Sequence, residues 1–104
     1  MQKYKVRPPV VAGQFYPGSA GDLKREIAGY LNQAALTDLP GAVKALIVPH
    51  AGYVYSGLVA AYGYKALKDS YKRVFVLASN HARGTPPFKF SVPAADYFET
   101  PLGR

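Results

Sequence analysis

Two short apolar runs, each followed by a loop that carries a histidine, constrain this chain more than any other feature. The first is Ala42-Val43-Lys44-Ala45-Leu46-Ile47-Val48, stopped by Pro49, and the second is Val74-Phe75-Val76-Leu77-Ala78, entered through Lys72 and Arg73. A nearly continuous apolar run of four to eight residues reads as a strand buried on both faces. Between them Ser56 is placed to cap a helix from about Gly57 to Lys68, with Leu58, Tyr62 and Ala66 on one stripe. Strand, helix and strand within about 36 residues make a βαβ unit, whose strands run parallel with a right-handed crossover. The fold class expected is therefore α/β, built on a parallel-sheet βαβ core.

The flanks add less. Pro8, Pro9, Gly13, Pro17 and Gly18 leave room for no more than a short strand before residue 18. Ser19 with Asp22 three positions on forms a capping box with a shorter acid, and Leu23, Ile27, Tyr30 and Leu31 follow at helical spacing. A helix is predicted over residues 20–34, with a turn from Thr37 to Gly41. Phe88-Lys89-Phe90-Ser91-Val92 alternates as a third strand would, whereas Pro93 to Arg104 shows no period.

The 104 residues fit one domain, and 49% hydrophobic with 18% charged residues describes a globular chain. No apolar run reaches the roughly 20 residues that span a bilayer, and no signal peptide opens the chain, so a cytoplasmic protein without membrane attachment is expected. The absence of cysteine excludes disulfides and thiolate ligands within these residues. A net charge of +7 invites a nucleic-acid reading, but the thirteen basic residues are scattered from Lys3 to Arg104 with no block of five or six. A solvated basic surface accounts for them better than a nucleic-acid partner does.

In open α/β sheets, ligands bind in the crevice beyond the carboxyl ends of the strands. His50 lies two residues past the first run and His81 three past the second, and the chain has no other histidine. Adjacent strands are about 5 Å apart, so imidazoles at matching ends can reach one ion. The alternative is two unrelated loop histidines serving as surface or local hydrogen-bonding groups. Imidazole suits zinc, copper, iron and nickel alike. An Fe(II) oxygenase site also needs a carboxylate, for which Asp96 and Glu99 are the in-chain candidates, although both read more simply as surface charges beside Tyr97. Tyr53 and Tyr55 can offer hydroxyls to such a pocket, or serve as core aromatics with hydrogen-bonded tips.

Four ordered blocks resemble the N-terminal part of the Memo family. They are Arg7-Pro8-Pro9-Val10-Val11-Ala12-Gly13-Gln14-Phe15-Tyr16-Pro17, Pro49-His50-Ala51-Gly52-Tyr53-Val54-Tyr55-Ser56-Gly57, Val76 to His81, and Glu99-Thr100-Pro101-Leu102-Gly103. The resemblance covers essentially the whole chain, but only the first third or so of the family's length. Residues 1–104 are thus expected to be the N-terminal portion of a single Memo-like α/β domain, whether truncated or one piece of a split protein.

The resemblance implies a fold similar to class III extradiol dioxygenases, which are non-haem iron enzymes. It also implies a pocket lined by two histidines, matched here by His50 and His81, that takes iron or copper; zinc is equally compatible with imidazole alone. Phe15 stands where the family has an aromatic bordering the pocket. The human member binds phosphotyrosine peptides from a receptor tyrosine kinase, and bacterial and archaeal members occur alongside AMMECR-type and radical-SAM proteins. The family's remaining pocket residues, a cysteine thiolate and a further histidine, have no match here. Ser79-Asn80-His81-Ala82 departs from the Pro-Ser-His-His-like run of many members.

Two functions of different class follow: a redox or oxygenase-like metalloprotein, or a binding module for phosphotyrosine-like or other anionic ligands aided by Arg83. A third outcome is a pocket too incomplete to act. A peptide or small molecule is the ligand expected, and a parallel sheet lacking part of its cover favours self-association.

Overall fold

Ser19 starts the first helix in the manner its spacing to Asp22 predicts. In the computed structural model, which describes residues 4–36, 38–68, 70–81 and 90–104, the extended Ser19 accepts a hydrogen bond from the Asp22 N–H at 3.1 Å. Its hydroxyl donates to Asp22 Oδ2 at 2.6 Å. Asp22 thereby satisfies a capping hydroxyl and places a negative charge at the positive end of the helix. It also pairs with Arg25 one turn on. The helix, α1, runs Ala20–Gln33 and stops at Ala34, which turns to an extended conformation. Leu23 and Ala34 are both buried, and Leu23 lies on the stripe read from the sequence.

The second helix, α2, spans Tyr53–Lys65 and so begins four residues before its expected start. Ser56 is not its cap. Gly52 holds that position: its carbonyl accepts from Ser56 N at 3.1 Å, and the next N–H, that of Tyr53, donates to Phe15 O at 2.7 Å. A long-range partner for a first-turn donor replaces the side-chain cap. Ser56 is buried inside the helix, and its hydroxyl donates back to Ala51 O at 3.0 Å. At the other end, Ala66 N and Leu67 N bond three residues back, to Gly63 O and Tyr64 O, so the last turn tightens before Lys68 is reached.

Small residues let α2 approach its neighbours. A Cβ at Gly57 would stand 2.6 Å from Tyr30 Cε2, and one at Gly63 would stand 2.7 Å from Val48 Cγ1 and 2.9 Å from Leu46 Cδ1. One glycine therefore seats the ring of α1, and the other seats the first apolar run. Ala61 between them is buried. Lys65 then reaches across, its Nζ donating to Leu31 O at 2.8 Å and Ala34 O at 2.5 Å, which satisfies carbonyls at the end of α1.

The sheet lies elsewhere than expected. Strand β1, Val6–Arg7, pairs in parallel with β2, Tyr97–Phe98, in the register Val6↔Tyr97 and Arg7↔Phe98. Asp96 N donates to Lys5 O at 2.8 Å, Glu99 N donates to Arg7 O at 2.9 Å, and Lys5 N donates to Asp96 Oδ2 at 2.7 Å. Tyr4 and Tyr97 meet edge to face at 5.4 Å, and Arg7 lies 5.5 Å from the Phe98 ring centroid. The aperiodic tail thus supplies a strand, then a tight turn in which Thr100 and Gly103 exchange backbone hydrogen bonds, with Gly103 at φ +115°.

The two apolar runs are not strands. Residues 42–48 and 74–78 are irregular, and the expected βαβ unit is present only as its central helix and the approach of its two loops. A parallel strand requires both a ladder and covered faces. Leu46 and Val48 lie against α2 at Gly63, but Ile47 is 99% exposed and Leu77 93% exposed. Of the proposed third strand, Phe88 and Lys89 lie outside the described residues, and 90–92 form no strand. The α/β class is retained in two helices and a two-stranded parallel sheet. Among the described residues, no helix is long and apolar enough to cross a membrane.

Candidate functional site

His50 and His81 meet. Their Nε2 atoms are 3.2 Å apart and their ring centroids 5.3 Å apart, with the planes inclined by 49°. Neutral imidazoles at that distance share one proton, one ring donating and the other accepting according to tautomer. The same spacing suits a shared ion. Two nitrogens bound at zinc-like lengths of 2.0–2.1 Å and a tetrahedral angle lie about 3.3 Å apart. Both rings are exposed, so an ion there would have open positions toward solvent.

The His50 loop is held on both sides. Pro49 precedes it and restricts the backbone. After it, Ser56 secures the Ala51 carbonyl, and Gly52 packs on the N-terminal block, where a Cβ would lie 3.5 Å from Phe15 O. That block is itself a compact turn, with Gln14 N and Phe15 N both donating to Val11 O and Gly13 N donating to Tyr16 O. Gly13 has φ +79°, a value that favours glycine. The Tyr16 and Tyr53 rings pack at 5.6 Å. Burial, then the neighbouring Tyr16 and Tyr64 and the charge of Glu26, push the Tyr53 hydroxyl above its ordinary pKa.

The structure therefore joins His50 to His81 and Phe15 to Tyr53. Tyr55 is exposed on the first turn of α2, and Arg83 lies outside the described residues. The carboxylate candidates are committed elsewhere: Asp96 accepts from Lys5 N, and Glu99 faces Arg104 at 3.8 Å. Among the described residues, no group of three or more metal-ligating side chains assembles, so the pair supplies two donors and no third. Sequence reasoning did not single out Ser56 as an anchor for the Ala51 carbonyl. Its position five residues after Ala51, just inside a helix start, was the available signal. A shallow depression of about 220 Å³ is lined by Gly13 through Pro17, Glu26 and Val54, and neither histidine borders it.

Comparison with known proteins gives one consistent result. A family model described as Memo-like protein matches residues 7–104. A MEMO1 family protein of Thermoplasma volcanium is 38% identical over 100 residues, covering 95% of this chain and 36% of that protein. Protein MEMO1 of Danio rerio is 37% identical over 92 residues, covering 88% of this chain and 30% of the relative. A MEMO1 family protein of Nitrosopumilus maritimus is 39% identical over 106 residues, covering 94% and 37% respectively. The chain thus spans about a third of the length of the curated relatives it matches. No solved structure matches it.

Proposed function

This chain belongs to the Memo-like protein family, and from that membership we propose that it contributes His50 and His81 to a metal-binding pocket of redox or oxygenase-like type. The observation that carries the reading is the 3.2 Å approach of the two Nε2 atoms across 31 residues of sequence. A first-row metal held there, whether iron, copper or zinc, would supply Lewis-acid or, for iron and copper, redox chemistry at its open positions. The protein's part is to orient the rings: Ser56 fixes the carbonyl after His50, and Phe15 fixes the start of α2. A scaffold like that of the class III extradiol dioxygenases and a cytoplasmic setting belong to the same proposal. Cobalt(II) titration tests it, since imidazole coordination produces visible absorption bands. Bands that saturate near one equivalent, and are lost in both His50→Ala and His81→Ala, are expected. Unchanged bands in either variant would remove that histidine from the site.

The second reading, a module for phosphotyrosine-like or other anionic ligands, is favoured by the net charge of +7. It requires affinity for phosphotyrosine that weakens with salt and on Arg83→Ala, without turnover. Affinity indifferent to both would end it.

A further inference from the structure

Glu26 is an acid without a counter-charge in a strongly basic chain. Among the described residues, the ion pairs are Arg25 with Asp22, Lys68 with Asp38 and Arg104 with Glu99; none includes Glu26. Helix geometry explains this. The positions three and four residues from Glu26 are Asp22, Leu23, Gly29 and Tyr30, none of them cationic, and Lys24 at two residues faces away. Lys65, in the last turn of α2, is committed to the carbonyls of Leu31 and Ala34. What Glu26 does receive is one neutral hydrogen bond, from the Tyr30 hydroxyl to Oε1 at 3.0 Å, which leaves acceptor capacity on the carboxylate.

That half-buried carboxylate borders the depression lined by Gly13 through Pro17 and Val54, and it is the sole charged group among the described lining residues. Phe15 and Tyr16 supply aromatic rings, and Pro17 and Val54 supply apolar surface. Aromatic faces attract cations, and a carboxylate adds a charge-assisted hydrogen bond to an N–H donor. An anion would meet Glu26 unfavourably. The depression, about 220 Å³ and open to solvent, admits a small group that keeps one side in water.

We propose that this depression is a binding site for a small organic ammonium, its cationic nitrogen on Glu26 and its carbon body against Phe15, Tyr16, Pro17 and Val54. Neither histidine ring borders the depression, although the Phe15 carbonyl also receives the Tyr53 N–H at the start of α2, behind the His50 loop. The test is an NMR titration of the full chain with benzylammonium and with its neutral analogue benzyl alcohol. Saturable shifts centred on residues 13–17, 26 and 54 are expected, with benzylammonium bound about tenfold tighter. In Glu26→Gln, which keeps an acceptor for Tyr30, that preference should vanish. Equal affinity for the two ligands in the parent protein, a preference that survives Glu26→Gln, or shifts centred elsewhere would each overturn the proposal.

Discussion

His50 and His81 are separated by 31 positions, yet the placement of each just beyond an apolar run made their convergence legible. What the sequence could not reveal is how the first loop is held. Ser56 reads as a helix cap because caps are usually short polar residues. The Phe15 carbonyl instead receives the first donor of α2, a contact between residues 38 positions apart that no local pattern encodes. The same neighbourhood makes a pH prediction. Tyr53 is raised by burial and nearby phenols, and Tyr30 is raised by burial and then by its hydrogen bond to Glu26 and that carboxylate's charge. The fold therefore retains these protons while the unfolded chain loses them near the ordinary tyrosine value of about 10. Stability from this source is complete below that pH and is lost as pH rises through the elevated folded values. Urea midpoints measured from about pH 9 to 11 should fall, and less steeply in Tyr30→Phe. An identical slope in that variant would exclude Tyr30 as a contributor.

At the level of elements, α1 was readable almost to the residue because its cap, acid and apolar stripe agree. The sheet was not, for a physical reason. Two residue pairs joined across 91 positions leave no alternation to detect, and β2 is partly ordered by Asp96 binding Lys5 N. The apolar runs misled in the opposite direction: their composition is that of buried strands, but while Leu46 and Val48 lie against α2 at Gly63, Ile47 and residues 74–77 are exposed. Helix packing offers direct tests. Gly57→Ala drives a methyl into the Tyr30 ring and should cost about 1–3 kcal/mol, as overpacking does. Lys65→Met removes two donors from the end of α1 and should cost about 1–2 kcal/mol. Denaturant unfolding of both variants measures these losses. Parent-like midpoints would mean that the α1–α2 contact is loose.

For the whole molecule, apolar exposure dominates. Ile47, Phe75, Val76, Leu77, Phe90 and Val92 are all at least 85% exposed. Apolar exposure on this scale favours association, although the +7 charge opposes it at low salt. Sedimentation velocity at moderate salt should show assembly that grows with concentration, and Leu77→Lys should reduce it. A monodisperse monomer across that range would show that the apolar runs are masked. Family membership is secure at this scale, while activity stands on a pair of rings in a chain that spans a third of its relatives' length. The most direct measurement is metal content by mass spectrometry on anaerobically purified parent protein and on the His50→Ala/His81→Ala double variant. Near-stoichiometric iron, copper or zinc in the parent and none in the double variant is the result predicted. Equal metal in both, or none in either, would contradict a metal site built by this chain's two histidines.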